Sequence, residues 1–182
     1  MNIEQQEIIN HALISKENLH IALAVGKSYD TLRELLIRNF AKYLEQKLKE
    51  KEWETNFSWW NNKPFGKSTG FMCRKESWPN NIKIYTESTD GQTNYYVGVF
   101  DEKNDVVDYS RNDIFNKCNE SISQGSKSSG YIWRKYLPDE YRNFDNADTF
   151  FALNKKEAFS AYLLAEIEAL GAVVDSELAK AK

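Results

Sequence analysis

Asp101, Glu102 and Lys103 form an acid-x-Lys triplet, and Asp90 precedes it by eleven residues. Two carboxylates can hold a divalent cation, and a lysine can stabilise an attacking hydroxide, as metal-dependent nucleases require. The stretch 101–104 also has the composition of a solvated tight turn, and no Glu or Gln follows it on a helix at a suitable spacing. We therefore interpret the triplet as a turn, with no catalytic residue assigned, and keep a minimal metal-dependent nuclease as an alternative.

The histidines and cysteines show no pattern typical of a metal site or a nucleophile. His11 and His20 lie nine residues apart without a Cys or carboxylate at metal-ligand spacing, so we interpret them as structural or surface residues. Cys73 has no histidine near it in sequence, which favours a buried thiol over a catalytic one. The chain also lacks a glycine-rich phosphate loop. The sequence therefore predicts no metal and no cofactor.

Basic and aromatic residues are concentrated in two stretches. Residues 63–83 hold five basic residues against one acidic residue, and residues 127–135 add three more. If their strands are neighbours, the outward side chains would form a face that contacts phosphates and stacks on bases. The alternative is a face of ordinary mixed charge with tryptophans in the core, and the placement of Trp59, Trp60, Trp78 and Trp133 stays open. The candidate binding residues are Lys67, Arg74, Lys75, Trp78, Trp133 and Arg134.

The net charge and the acidic residues favour a protein partner over nucleic acid. The net charge of −3 and the pI near 5.5 argue against a protein whose main role is to wrap nucleic acid, because phosphate binding needs a basic field. Residues 84–108 hold six acidic residues against Lys103 alone. The segment 87–108 is therefore a candidate contact for a protein partner.

Length and composition are those of a single globular domain. A chain of 182 residues buries roughly 70% of the surface of its unfolded form, so its core needs no disulfide or metal. Aromatic residues make up 14% and must lie in the core or on a recognition surface. Cys73 and Cys118 are the only cysteines and are predicted to be reduced, which favours a cytoplasmic protein. Neither a signal peptide nor a membrane span is expected.

Apolar periodicity predicts helices towards both ends of the chain. A short helix is expected at about 3–14, followed by an apolar segment of uncertain type at 19–25. An amphipathic helix is predicted at about 29–52, and a final helix at about 155–180. One face of the 29–52 helix is expected to lie on a sheet and to hold Leu32, Leu35, Leu36, Phe40, Tyr43, Leu44 and Leu48.

Strand patterns fill the sequence between these helices. Apolar alternation is divided by turn residues, and Asp90-Gly91 is typical of a tight hairpin because Gly adopts positive φ without steric cost. Residues 110–130 are polar, and the stretch QGSKSSG at 124–130 is interpreted as a mobile loop. We therefore predict a single α+β domain over residues 1–182. It has an antiparallel β-meander of four to five strands (about 55–137) packed against N-terminal helices (about 3–52) and a C-terminal helix (about 155–180). The strand candidates are 55–60, 71–74, 82–87, 95–99, 106–109 and 131–137, and four to five of these six segments are expected to form the sheet.

The order of these segments carries a family resemblance. GFMCRKESW at 70–78, IKIYTES at 82–88 and YYVGVF at 95–100 are followed by YIWRKYL at 131–137 and YRNFDN at 141–146. This combination resembles the C-terminal accessory region of certain bacterial proteins of the PD-(D/E)XK nuclease superfamily. The similar region would run from about Leu32 to Leu178. The resemblance implies a recognition module of phage or defence-island origin without the upstream nuclease core, so no catalytic residue is carried over.

Together these features predict a cytoplasmic binding protein that is not an enzyme, with nucleic acid or a protein as its partner and no membrane association. The first hypothesis is a non-catalytic module that binds nucleic acid through the six candidate residues. The second is a phage-derived inhibitor or adaptor that docks on a bacterial defence protein. The sequence does not indicate the oligomeric state.

Overall fold

The computed structural model of the chain describes residues 3–58, 60, 69–88, 94–103, 112–144 and 146–180. Its helices are α1 (Ile3–Ala12), α2 (Lys16–Lys49), α3 (Asn112–Ser121), α4 (Asp139–Arg142), α5 (Ala147–Asn154) and α6 (Lys156–Lys180). Its strands are β1 (Glu54–Asn56), β2 (Thr69–Arg74), β3 (Ile82–Ser88), β4 (Tyr96–Asp101), β5 (Ser126–Ser128) and β6 (Tyr131–Tyr136). None of the helices in these described ranges is both long enough and apolar enough to cross a membrane.

The chain divides into two compact units, Met1–Leu35 and Leu36–Lys182. The first contains α1 and the beginning of α2, and the second contains the sheet and the remaining helices. The expectation of one domain over residues 1–182 stays a prediction.

The second unit is built on a six-stranded antiparallel sheet in the order β1-β2-β3-β4-β6-β5. The first four strands form the predicted meander. β6 then pairs with the free edge of β4, and β5 pairs with β6. The predicted α+β class is confirmed, with six strands where four to five were expected. The predicted strand at 106–109 and the Asp90-Gly91 turn lie outside the described residues.

The hydrophobic core of this unit lies on one face of the sheet. In β3, Ile82 and Ile84 alternate with Lys83 and Tyr85, so the isoleucines face the core because neighbouring side chains point to opposite sides of a strand. Helices α2, α3 and α6 supply the opposing apolar side chains. Their buried residues include Phe40, Leu44, Leu48, Ile114, Cys118, Phe159, Leu163, Ile167 and Leu170.

Two predictions about local structure were wrong. α2 begins at Lys16 rather than near residue 29, and the uncertain segment 19–25 belongs to it. Ser15 caps this helix, because its hydroxyl accepts a hydrogen bond from the backbone N–H of Asn18 at 3.1 Å. The predicted loop at 124–130 contains strand β5, and helix α3 lies in the polar part of 110–130, where no helix was predicted. The final helix agrees with its predicted range within one residue.

Candidate interaction surfaces

Arg74 lies at the end of β2 and is held by its neighbours. Its guanidinium forms an ion pair with Glu54 of β1 at 2.6 Å and donates to the side-chain oxygen of Asn80 at 2.6 Å. A phosphate would have to compete with the Glu54 carboxylate for the same donors. Arg74 thus ties strand β1 and the following turn to β2.

Lys75 and Trp78 both contact Asp175 of α6. The Lys75 ammonium lies 2.5 Å from one carboxylate oxygen, and the indole N–H of Trp78 donates to the other at 2.6 Å. Trp78 is only 3% exposed and packs edge-on against Trp53, with 5.6 Å between ring centroids. Trp78 is therefore a packed residue that joins the β2–β3 connection to the C-terminal helix.

Trp133 and Arg134 are adjacent in β6 and point to opposite faces of the sheet. Trp133 is fully buried in the core, where its indole N–H donates to the side-chain oxygen of Asn119 at 3.0 Å. The Arg134 guanidinium lies over the rings of Tyr96 and Tyr131, at 4.7 and 5.8 Å from their centroids. The five candidate residues that the structure describes therefore do not share one outward face. Lys67 lies outside the described residues, and so does Trp59, whereas Trp60 is buried.

A polar cluster occupies the face of the sheet opposite the core. The Glu87 carboxylate accepts hydrogen bonds from the hydroxyls of Tyr96 (2.9 Å) and Tyr131 (2.5 Å), and all three residues are buried. Burial, followed by the nearby Glu87 charge, raises the pKa of Tyr96 to about 12 and raises that of Tyr131 further. Burial also raises the pKa of Tyr85 to about 12. The three phenols stay protonated at neutral pH, and those of Tyr96 and Tyr131 act as hydrogen-bond donors.

The acid-x-Lys triplet follows the geometry of a turn. β4 ends at Asp101, whose buried carboxylate accepts from the side-chain amide of Asn81 at 2.6 Å and from the backbone N–H of Lys103 at 3.0 Å. Glu102 forms an ion pair with Lys83. Asp101 thus fastens the end of β4 to the turn before β3. Asp90, the second carboxylate of the nuclease hypothesis, lies outside the described residues.

The first unit carries exposed apolar residues. In the described part of the chain, eleven of the thirteen exposed large apolar side chains lie within residues 8–35. Several are more than half exposed, such as Leu13 (67%), Ile14 (72%) and Val25 (63%). The eleven, here named the apolar surface, are Ile8, Ile9, Leu13, Ile14, Leu19, Ile21, Leu23, Val25, Tyr29, Leu32 and Leu35.

A cleft between α1 and α2 opens on this surface. It has a volume of about 420 Å³, and its apolar lining comes from Ile8, Ala12, Ile21 and Ala22. Glu7, His11 and Asn18 complete the lining. The side-chain amide of Asn18 donates to the backbone carbonyl of His11 at 3.1 Å, which fastens the turn between the two helices. The cleft is therefore a formed feature of the first unit.

Sequence reasoning did not identify the apolar surface. Leu32 and Leu35 were expected to lie on the sheet with Phe40 and Leu44, but they are 54% and 53% exposed. The spacing of Leu32 and Leu35 from Phe40 is compatible with one broad apolar face of the helix. At 3.6 residues per turn, however, both residues lie on the side of α2 away from Leu44. A missed signal is the spacing of Ile21, Val25, Ser28, Leu32 and Leu35, which repeats as four, three, four and three residues.

Comparison of the chain with protein-family models, curated proteins and solved structures finds no match. Within the ranges that the structure describes, no group of three or more His, Cys, Asp or Glu residues is placed to hold a metal ion. The candidate surfaces therefore differ in exposure and in pairing. Arg74 and Lys75 are paired, Arg134 is half-buried, and Trp78 and Trp133 are buried, whereas the side chains of the apolar surface lie open to solvent.

Proposed function

We propose that this protein is a non-catalytic binding protein and that it docks on a protein partner through the apolar surface of residues 8–35. The observation that carries the proposal is the exposure of eleven large apolar side chains in this short part of the chain. Exposed apolar area of this extent costs free energy in water, and covering it with a partner recovers that free energy. Contiguous apolar patches are typical of protein interfaces.

The shape of the first unit supports a helical partner. α1 and the beginning of α2 present side chains at helical spacing, with a cleft between them at Ile21 and Ala22. An amphipathic helix binds such a surface by placing apolar anchors at three- and four-residue steps into the groove. The adaptor class predicted from the sequence is therefore favoured, with its contact in the first unit rather than in the acidic segment 87–108.

Nucleic-acid binding stays a prediction and is not the function that we favour. Arg74 forms an ion pair with Glu54, and Lys75 forms one with Asp175. Binding of a phosphate by either side chain would break its ion pair. The bases would also lack a stacking surface at Trp78 and Trp133, which are buried. If nucleic acid binds nevertheless, changing Arg74 and Lys75 to Ala would weaken the binding and reduce its salt dependence.

Site-specific photo-crosslinking in the producing cells tests the proposal. A photoreactive amino acid is placed at Val25, and the matched control carries it at Glu120, an exposed residue of α3. We expect a discrete protein adduct from position 25, its loss when Leu32→Glu is added, and no such adduct from position 120. The absence of a protein adduct at position 25, or an adduct that nuclease digestion removes, would overturn the proposal.

A further inference from the structure

We infer that the outer face of the sheet binds the zwitterionic head of an α-amino acid, with Arg134 contacting its carboxylate and Glu87 its ammonium group. The outer face is the side of strands β3, β4 and β6 opposite the core, where Glu87 accepts hydrogen bonds from Tyr96 and Tyr131. This site shares no residue with the apolar surface, so the inference goes beyond the proposed function.

Arg134 is a half-buried cation without a counter-ion. Its guanidinium lies over the rings of Tyr96 and Tyr131, and among the described residues it forms neither an ion pair nor a hydrogen bond. The rings attract the charge, but they leave the N–H donors of the guanidinium without acceptors. Partly buried donors cost free energy unless an acceptor reaches them. A ligand carboxylate fits this requirement because its two oxygens match the fork of guanidinium donors.

Glu87 is a buried anion with one unused oxygen. Tyr96 and Tyr131 both donate to its Oε1, and within the described part of the chain its Oε2 accepts no hydrogen bond. Glu87 is 8% exposed, and its Oε2, unlike that of Glu166, is not sealed from solvent. An ammonium group is the donor that matches the charge of this oxygen. Glu87 therefore provides a contact for a cationic ligand group.

Tyr96 lies between the two charges. The Arg134 guanidinium is 4.7 Å from the centroid of its ring, and the Glu87 carboxylate is 2.9 Å from its hydroxyl oxygen. The two charged groups are thus about one tyrosine ring apart, too far to pair directly and close enough for one small molecule to contact both. Opposite charges at this separation favour a small ligand that itself carries both charges.

The surrounding residues position Arg134 and leave an apolar contact beside it. Gly98 of β4 is the direct partner of Arg134 in the register with β6. A Cβ at Gly98 would lie 2.8 Å from the Arg134 Cβ and 2.4 Å from the backbone oxygen of Trp133, so a larger residue would push β6 away. Tyr136 lies on the same face, is 55% exposed, and has its ring 6.3 Å from that of Tyr96. Its ring can contact the side chain of the bound amino acid.

Thermal unfolding of the full chain with each of the twenty L-amino acids at 10 mM tests the inference. We expect at least one to raise the unfolding temperature, whereas the matched amine without its carboxylate and the matched acid without its ammonium group do not. Calorimetric titration should show binding weakened about tenfold or more in Arg134→Gln and in Glu87→Gln, because each loses a charge-assisted hydrogen bond. The controls Lys103→Gln and Glu76→Gln remove exposed charges outside the site and should bind within about twofold of wild type.

NMR of the Arg134 side chain gives an independent readout if a glutamine variant fails to fold. The Nε–Hε resonance of Arg134, identified by its absence in Arg134→Lys, should shift with the amino acid and not with the matched amine. The inference is overturned if no amino acid binds at 10 mM, if the matched acid binds as tightly, or if binding survives both glutamine substitutions. Leu32→Glu should leave the binding unchanged, so this result is independent of the photo-crosslinking result.

Discussion

Asp175 of α6 accepts the indole hydrogen bond of Trp78 at 2.6 Å, which joins the connection between β2 and β3 to the C-terminal helix. The same carboxylate forms the ion pair with Lys75. Trp78 and Asp175 are 97 positions apart in the chain. A long-range bond of this kind depends on the closed packing of the second unit, so its removal should weaken that packing.

Asp175→Ala should lower the free energy of unfolding by about 1–3 kcal/mol, because it leaves a buried indole N–H without its acceptor. Asp175→Asn keeps an acceptor oxygen and should cost less. Lys75→Met removes the half-exposed ion pair and the ammonium that lies 5.4 Å from the centroid of the Trp53 ring, each worth at most about 1 kcal/mol. Urea unfolding followed by tryptophan fluorescence measures all three variants. Equal stability of Asp175→Ala and wild type would contradict the assigned role of Trp78.

Tyr85 and Tyr96 should make the protein sensitive to alkaline pH. The pKa values of Tyr85 and Tyr96 are about 12 in the folded protein against an ordinary value of 10.0. The folded state therefore holds these protons more tightly, so their contribution to stability is complete below pH 10 and is lost as pH rises towards 12. Denaturation midpoints measured at several pH values should fall across this window.

Glu87→Gln separates the two causes of these shifts. Burial is the larger cause and persists in the variant, whereas the carboxylate charge that disfavours tyrosinate is removed. Spectrophotometric titration of tyrosinate should therefore show a lower pKa for Tyr96 that is still above 10.0. Tyr96→Phe identifies the transition by removing it. An unchanged titration curve in Glu87→Gln would show that the carboxylate does not act on these phenols.

Two helical glycines should respond to alanine in opposite directions. A Cβ at Gly26 of α2 would meet no atom within 4 Å, so Gly26→Ala should stabilise its helix by about 1 kcal/mol. A Cβ at Gly171 of α6 would lie 2.7 Å from the ring of Trp53, which is buried. Overpacking there exceeds the same helical gain, so Gly171→Ala should cost about 1–2 kcal/mol. Thermal unfolding followed by circular dichroism compares the pair, and a stabilised Gly171→Ala would refute the packing of Trp53 on α6.

The native thiols should be inert in the folded protein. Both cysteines are buried, and burial raises the pKa of Cys118 to about 12 and that of Cys73 well above its usual range. Only the thiolate attacks a disulfide reagent, so labelling at neutral pH should be slow and should follow unfolding. Denaturant should expose two reactive thiols per chain. Rapid labelling without denaturant would contradict the placement of Cys118 against the sheet.

Helix α3 was not predicted from the sequence, because its residues show no clear apolar periodicity. Ile114 and Cys118 are one turn apart and both buried, but the other residues of the helix are mostly polar. Two apolar positions are too few to establish a helical period. The helix is recognised only in the tertiary structure, where Ile114 and Cys118 pack into the hydrophobic core. Asn119 of α3 accepts the indole hydrogen bond of Trp133, a contact across fourteen residues that no local pattern predicts.

The candidate binding residues in and beside strands β2 and β6 were likewise beyond prediction from local sequence patterns. The sequence shows basic and aromatic residues concentrated in two stretches, but alternation in β6 places Trp133 and Arg134 on opposite faces. Which face is the core depends on where α2 and α6 pack. The pairing of Arg74 with Glu54 and of Lys75 with Asp175 likewise depends on neighbours that are distant in sequence.

The sequence by itself determined the α+β class, the antiparallel β2–β4 meander and the C-terminal helix, because side-chain periodicity is a local property of helices and strands. Only the tertiary structure decided which apolar residues are covered. Phe40 and Leu32 lie on the same helix with similar hydrophobicity, yet Phe40 is buried and Leu32 is 54% exposed. The difference comes from the presence or absence of an opposing surface, and the uncovered side of α2 is therefore where we place the partner.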